Sequence, residues 1–167
     1  TERKRIETAQ KQSDERVRRI TANLPGIVFE YRLRPDRSAT FEYVSDHAFD
    51  VLEESPASLM RDSRLMFELV DPAYRGRLLR SMRASRANLT LWTVELPIRT
   101  RSGRSKWVRG QSVPNLQEDG SVTWDGVIVD ISAQKQAEQA IQTLNERLER
   151  RVAERTAELS AAYREVE

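Results

Sequence analysis

Apolar positions along this 167-residue chain change their spacing twice, and each change marks a new zone. In residues 1–22, Ile6, Ala9, Ser13, Val17 and Ile20 recur at three- and four-residue intervals, which puts them on one helical face. Ser13 followed by Asp14 and Glu15 has the makings of a second helix start, so this zone predicts one helix, continuous or restarted there. From residue 23 to 131 the period shortens to two. IVFEYRL at 27–33 alternates after Pro25-Gly26, Pro35-Asp36-Arg37-Ser38 supplies a turn, and TFEYV at 40–44 returns, the pattern of a β-hairpin. Short helices are expected next: Ser45 or Asp46 capping 48–52, a turn at Ser55-Pro56, and an Asp71-Pro72 start for a helix reaching about Ser85. Strands at 89–100, 106–113 and 123–131, separated by turns at 101–103 and 118–120, complete the zone. Two strands, several helices and a three-stranded meander predict an α+β domain, a five-stranded antiparallel sheet with its helices on one face.

Residues 132–167 contain neither Gly nor Pro and return to helical spacing. Ile141, Asn145, Leu148, Val152, Arg155, Leu159, Ala162 and Val166 fall on alternating heptad positions, with Asn145 and Arg155 as polar breaks. This predicts a parallel two-stranded coiled coil, hence a homodimer through the terminal helices, with Asn145 setting register; the alternative is a single solvated helix.

Composition narrows the chemistry. Lys and Arg number 28 against 26 Asp and Glu, a net charge of +2 that does not point to nucleic acid. The chain has no Cys, which removes disulfides, thiolate nucleophiles and Cys-ligated metals. No stretch has the length and apolarity of a membrane span, so no membrane contact by this segment is expected and the cytoplasm is the default compartment. His47 is the single histidine; beside Ser45, Asp46 and Asp50 it reads as a surface or helix-capping residue, with a titrating role as the alternative. One His cannot build a structural zinc site, and no Gly-rich phosphate loop occurs. An enzyme is not expected in these residues.

Several short motifs stand in a telling order: Leu24-Pro25-Gly26 before the first strand, Tyr43-Val44-Ser45 ending the second, Ser55-Pro56, Ser102-Gly103 with Trp107-Val108 behind it, Asp119-Gly120, and the closing WDGVIVDIS. In that order and spacing, residues 13–140 resemble a PAS domain with its C-terminal PAC motif. The resemblance implies a division into a linker helix (1–22), a sensor domain (23–131) and a signalling helix (132–167). Asp130, Ile131 and Ser132 would form the junction where the last strand hands over to that helix. TERKRIETAQ at the start echoes SAQKQAEQAI at 132–141, and looks like the tail of a preceding PAS unit. LNERLERRVAERTAEL at 144–159 resembles linkers into bacterial sensor histidine kinases, which implies a kinase downstream; a cyclic-dinucleotide synthase or a ligand-free dimerisation spacer is the alternative.

In PAS-like domains the cavity lies between the concave sheet face and the helices. Candidates for its lining are Val28, Phe29, Tyr43, Phe49, Met60, Met66, Phe67, Leu78, Trp92, Leu96 and Val108. Either these side chains fill the core outright or they leave room for a small apolar or amphipathic ligand. The cofactor is unknown. A flavin photoadduct is excluded by the absence of Cys, and haem is not expected because residues 72–85 carry no His, leaving only Met66 or Met82 as ligands.

Overall fold

A computed structural model describes residues 1–166, with elements in the order α1 (Glu2–Ala22), β1 (Ile27–Leu33), β2 (Ala39–Val44), α2 (Ala48–Leu52), α3 (Pro56–Arg61), α4 (Arg64–Leu69), α5 (Pro72–Asn88), β3 (Trp92–Arg99), β4 (Ser105–Leu116), β5 (Val122–Asp130) and α6 (Ser132–Val166). The chain divides into two compact units at the boundary between Ile131 and Ser132.

In the first unit, five strands form one antiparallel sheet in the order β2-β1-β5-β4-β3. The last strand is therefore central, bonded on one side to the first hairpin and on the other to the meander. Phe29, Val94, Leu96, Val108, Trp124 and Ile128 of the inner face are buried with Leu52, Leu59, Val70 and Leu78 from the helical segment. Gly126 is required where β4 and β5 approach, since a Cβ there would lie 2.1 Å from the Gln111 carbonyl oxygen. The β3 edge is covered by its own connection: Val70 bridges Ile98, and the Asp71 N–H donates to the Pro97 carbonyl at 3.0 Å.

The helix starts follow the expected caps. Ser55 Oγ accepts from the Ser58 N–H ahead of Pro56, and Asp71 accepts from the Ala73 N–H ahead of Pro72. α1 is continuous through Ser13. Ser45 does not cap α2. It is buried, its hydroxyl accepts from the Val28 N–H at 2.8 Å and its own N–H donates to the Val28 carbonyl, closing the β1–β2 ladder. Residues 89–91 are not strand either: α5 runs on to Asn88, and Leu89 adopts a left-handed conformation at φ 49° as its C-cap. β4 passes Val113 to reach Leu116, through Pro114. It does so because β3 ends opposite Ser112, so Pro114 pairs with β5 alone and its missing N–H interrupts no second ladder.

On the outer sheet face Glu30 of β1 stands opposite Asp125 of β5. Burial first, then the neighbouring carboxylates Asp125 and Glu42, push the Glu30 pKa above its ordinary value, against the weaker opposing pull of Arg32. A carboxyl raised by folding destabilises the fold once ionised, so stability is lost as pH rises through the Glu30 titration. Glu30→Gln should therefore raise the melting temperature at neutral pH, by a few tenths of a kcal/mol for a like-charged cross-strand pair, and the gain should vanish in acid below the ordinary Glu value of 4.5. An equal gain at both pH values would show that charge is not its cause.

Candidate functional site

The inner sheet face meets α5 through Leu78 and through two polar bridges. Two serines one turn apart on α5, Ser81 and Ser85, receive the indole N–H groups of two sheet tryptophans: Trp92 Nε1 donates to Ser81 Oγ at 2.9 Å, and Trp124 Nε1 donates to Ser85 Oγ at 3.0 Å. Each serine hydroxyl then donates to a carbonyl, Ser81 to Leu78 at 2.8 Å and Ser85 to Thr90 at 2.7 Å. Every polar atom in these chains is thus paired, which is what permits them in an apolar setting. The Trp92 ring lies over Gly110, where a Cβ would come within 2.6 Å of it, so glycine is needed for the indole to reach Ser81.

Held at indole distance, the helix and sheet enclose a cavity of about 590 Å³, within the size range of small-molecule sites. Its walls are Phe29, Tyr31, Leu33 and Phe41 of the first hairpin, Met66 and Phe67 of α4, Leu78, Leu79 and Met82 of α5, Trp92, Val94 and Leu96 of β3, Val108, Gly110 and Ser112 of β4, and Trp124 and Ile128 of β5. The aromatic wall is interlocked, Phe41 meeting Phe29 and Tyr31 edge-on at 6.0 and 5.1 Å between ring centres. Two hydroxyls on the wall, those of Tyr31 and the buried Ser112, have no hydrogen-bond partner among the described residues. Burial pushes the Tyr31 phenol up, so it remains a neutral donor. Ser63 and three exposed arginines, Arg37, Arg83 and Arg86, complete the lining.

Seven of the sequence candidates line this cavity: Phe29, Met66, Phe67, Leu78, Trp92, Leu96 and Val108. Four lie elsewhere. Val28 points to the opposite sheet face from its neighbour Phe29. Tyr43 is turned outward by a bulge between Glu30 and Tyr31, which pairs Tyr43 with Glu30 and leaves Phe41 as the inward aromatic. Its hydroxyl lies 3.2 Å from Thr21 Oγ at the end of α1. Phe49 and Met60 are on solvent-facing positions of α2 and α3, 62% and 37% exposed. Strand parity was the overlooked signal for the rest: Phe29 inward implies Tyr31 and Leu33, Leu96 implies Val94, and Trp124 and Ile128 share one face of β5. His47 does not cap α2 with its side chain; instead Nε2 donates to the Ala22 carbonyl at the C-terminal end of α1 at 3.0 Å, and Nδ1 lies 3.5 Å from Asp50.

No family model matches the sequence, and no curated protein does. Solved structures do match. A sensory box histidine kinase/response regulator from Burkholderia thailandensis aligns over 74% of this chain and 91% of its own, at TM-score 0.57 and 22% identity. A domain of a protein named as a light and redox sensing histidine kinase from Haloarcula marismortui aligns over 70% and 98%, at TM-score 0.56 and 23% identity. The N-terminal domain of a diguanylate cyclase with PAS/PAC sensor from Marinobacter aquaeolei aligns over 65% and 98%, at TM-score 0.55 and 15% identity. The fold is that of PAS domains. The cavity accordingly lies where the PAS resemblance had placed it, between the sheet and its helices. Its donor set does not suit haem: the PAS cavity wall carries Met66 and Met82 but no His, and His47 is engaged at the end of α1. No cluster of three or more His, Asp or Glu placed to hold a metal occurs among the described residues.

The serine bonds can be tested directly. Ser85→Ala leaves the buried Trp124 N–H unpaired and is expected to cost about 1–3 kcal/mol in urea unfolding. Ser81→Ala, whose tryptophan is only half-buried, should cost less. Negligible losses in both would mean that apolar packing alone holds α5 over the sheet.

Proposed function

We propose that this chain is a regulatory sensory and dimerisation module of the PAS family, which binds a small ligand and relays its presence through paired α6 helices to an output domain. The observation that carries this reading is a mostly apolar cavity of about 590 Å³ in a chain that continues, directly after the central strand, into a helix of 35 residues. Nucleophilic cysteine is absent from the sequence, and the cavity wall offers no carboxylate and no His, so binding suits it better than catalysis. The output domain in this reading is a histidine kinase, as in two of the three similar proteins; the third is a diguanylate cyclase, which keeps a cyclic-dinucleotide synthase as the second reading.

Sheet pairing supports the mechanical part. The β4–β5 ladder continues one bond past β5, from the Ile131 N–H to the Trp107 carbonyl at 2.8 Å, and α6 begins at the next residue. Asp130, Ile131 and Ser132 thus occupy the step from ladder to helix, with Ile131 buried. In this reading a shift of β5 would be passed on through Ile131, the one residue between β5 and α6. α6 would extend about 50 Å at 1.5 Å per residue. Its apolar stripe is well exposed in the single chain: Ile141 by 60%, Leu148 by 50%, Val152 by 65% and Leu159 by 60%. A second copy would cover that stripe with a at Asn145 and d at Leu148, in knobs-into-holes packing. Among the described residues no helix is long and apolar enough to cross a membrane.

Light scattering on the whole chain should report a dimer, and Leu148→Glu with Val152→Glu should convert it to a monomer without lowering the melting temperature of the PAS unit. A wild-type monomer, or a double variant that stays dimeric, would remove α6 from the mechanism. In the parent protein, Asp130→Ala and Asn145→Leu should each change output activity, the first by loosening the step into the helix and the second by favouring one register. Unchanged output in both would reduce the junction to a passive link.

A further inference from the structure

The cavity is apolar in its depth, and all the charged residues that line it are cationic. Arg37, Arg83 and Arg86 all line it and all are exposed, and among the described residues none has an ion pair or a side-chain hydrogen bond. Elsewhere on the domain Arg32, Arg34, Arg64, Arg101 and Arg109 each hold a carboxylate, whereas the cavity arginines face none. Among the described residues no Asp or Glu lines the cavity.

The three arginines come from elements at one end of the cavity. Arg37 sits in the β1–β2 turn, just past Leu33, while Arg83 and Arg86 flank Ser85, the residue that holds Trp124. Trp124 in turn pairs with Tyr31 across the sheet, two residues before Leu33. The opposite end, toward Leu96, Val108, Met66 and Phe67, carries no charge.

Arg37 is also held in an uncommon conformation. Three turns in this sheet share one hydrogen-bond pattern: the Arg34, Thr100 and Gln117 N–H groups donate to the Ser38, Arg104 and Ser121 carbonyls, while their own carbonyls accept from the Arg37, Gly103 and Gly120 N–H groups. In the second and third, the residue with positive φ is glycine, Gly103 at 88° and Gly120 at 84°; in the first it is Arg37, at 71°. A non-glycine residue in that region is strained, and such strain gathers at ligand-contacting positions.

Resting on the sensory reading of this same cavity, we infer that the ligand is an apolar-bodied organic acid, its carboxylate held by Arg37, Arg83 and Arg86 and its body buried among the aromatic and aliphatic walls. Guanidinium groups bind carboxylate oxygens in paired, charge-assisted hydrogen bonds, and the apolar body supplies the burial. The Tyr31 and Ser112 hydroxyls on the wall are available to a second polar atom of the acid.

Titration calorimetry on the whole chain with decanoate and with naphthoate, set against their neutral counterparts decanol and naphthalenemethanol, tests this. The acids should bind at least about tenfold more tightly than the alcohols and lose affinity in high salt. Arg83→Gln with Arg86→Gln should erase that preference while leaving alcohol binding within about twofold. Arg37→Gly should raise the melting temperature of the free chain and still weaken the acids, a combination that damage to the fold cannot produce. If alcohols bind as tightly as acids, or the arginine variants weaken both alike, the anion assignment is overturned and a neutral-ligand sensor remains. If no probe binds, the acid proposal falls; retained dimerisation through α6 would then leave a ligand-free dimerisation spacer.

Discussion

Two hydrogen bonds decide what this molecule can be. If α5 packed on the sheet through aliphatic side chains such as Leu78 alone, the helix would settle into the concave face and close it. Instead, indoles from β3 and β5 reach across to Ser81 and Ser85, and their length sets the separation. The bonds are directional, so they fix the rotation of α5 as well as its height, which turns Leu78, Leu79 and Met82 toward the space beneath. Gly110 and Gly126 are the sheet's side of the same arrangement: one makes room for the Trp92 ring, the other for the close approach of β4 and β5. Side chains large enough to fill a core are therefore spent on its walls, and a void persists that close packing would otherwise remove.

Most of the fold was legible because its punctuation is local. Ser55-Pro56 and Asp71-Pro72 act through bonds within a single turn, so the residues alone locate those helix starts. Ser45 was misread for the opposite reason. A serine before a short helix looks like a cap, yet its hydroxyl is taken by the Val28 N–H, a partner 17 residues away that no local rule anticipates. Residues 89–91 have strand-like side chains, but Ser85 keeps hold of Thr90 through both its carbonyl and its hydroxyl, and this extends the helical end at the expense of the strand.

The site was partly legible: Val28 fails simple parity against Phe29, Phe49 and Met60 face solvent on short helices, and Tyr43 fails at the bulge. Strand parity carries inward assignments correctly along β1, β3, β4 and β5, where no residue is inserted. On β2 the inserted residue resets parity, so Phe41 and Val44 both face inward and Tyr43 between them does not. The rim was harder to see than the wall. Arg37, Arg83 and Arg86 are ordinary in a chain with 28 basic residues, and only their shared cavity distinguishes them.

The position of β5 joins these features into one mechanical path. A strand that closed the sheet at an edge could move without disturbing its neighbours; β5 is bonded along its length to both β1 and β4. Trp124 and Ile128 present it to the cavity, and its ladder ends at Ile131. An occupant that displaces Trp124 must therefore strain either the Ser85 bond or the ladder. The bond to Ser85 is directional and buried, so it resists, and the ladder is the softer of the two only at its ends. In the proposed mechanism the yielding end is the one at Asp130 and Ile131, because the other end is turned back on itself by a tight loop in which Asp119 accepts from the Ser121 N–H at 2.8 Å. In that proposed mechanism, strain generated under α5 would reach the sheet end at Asp130 and Ile131.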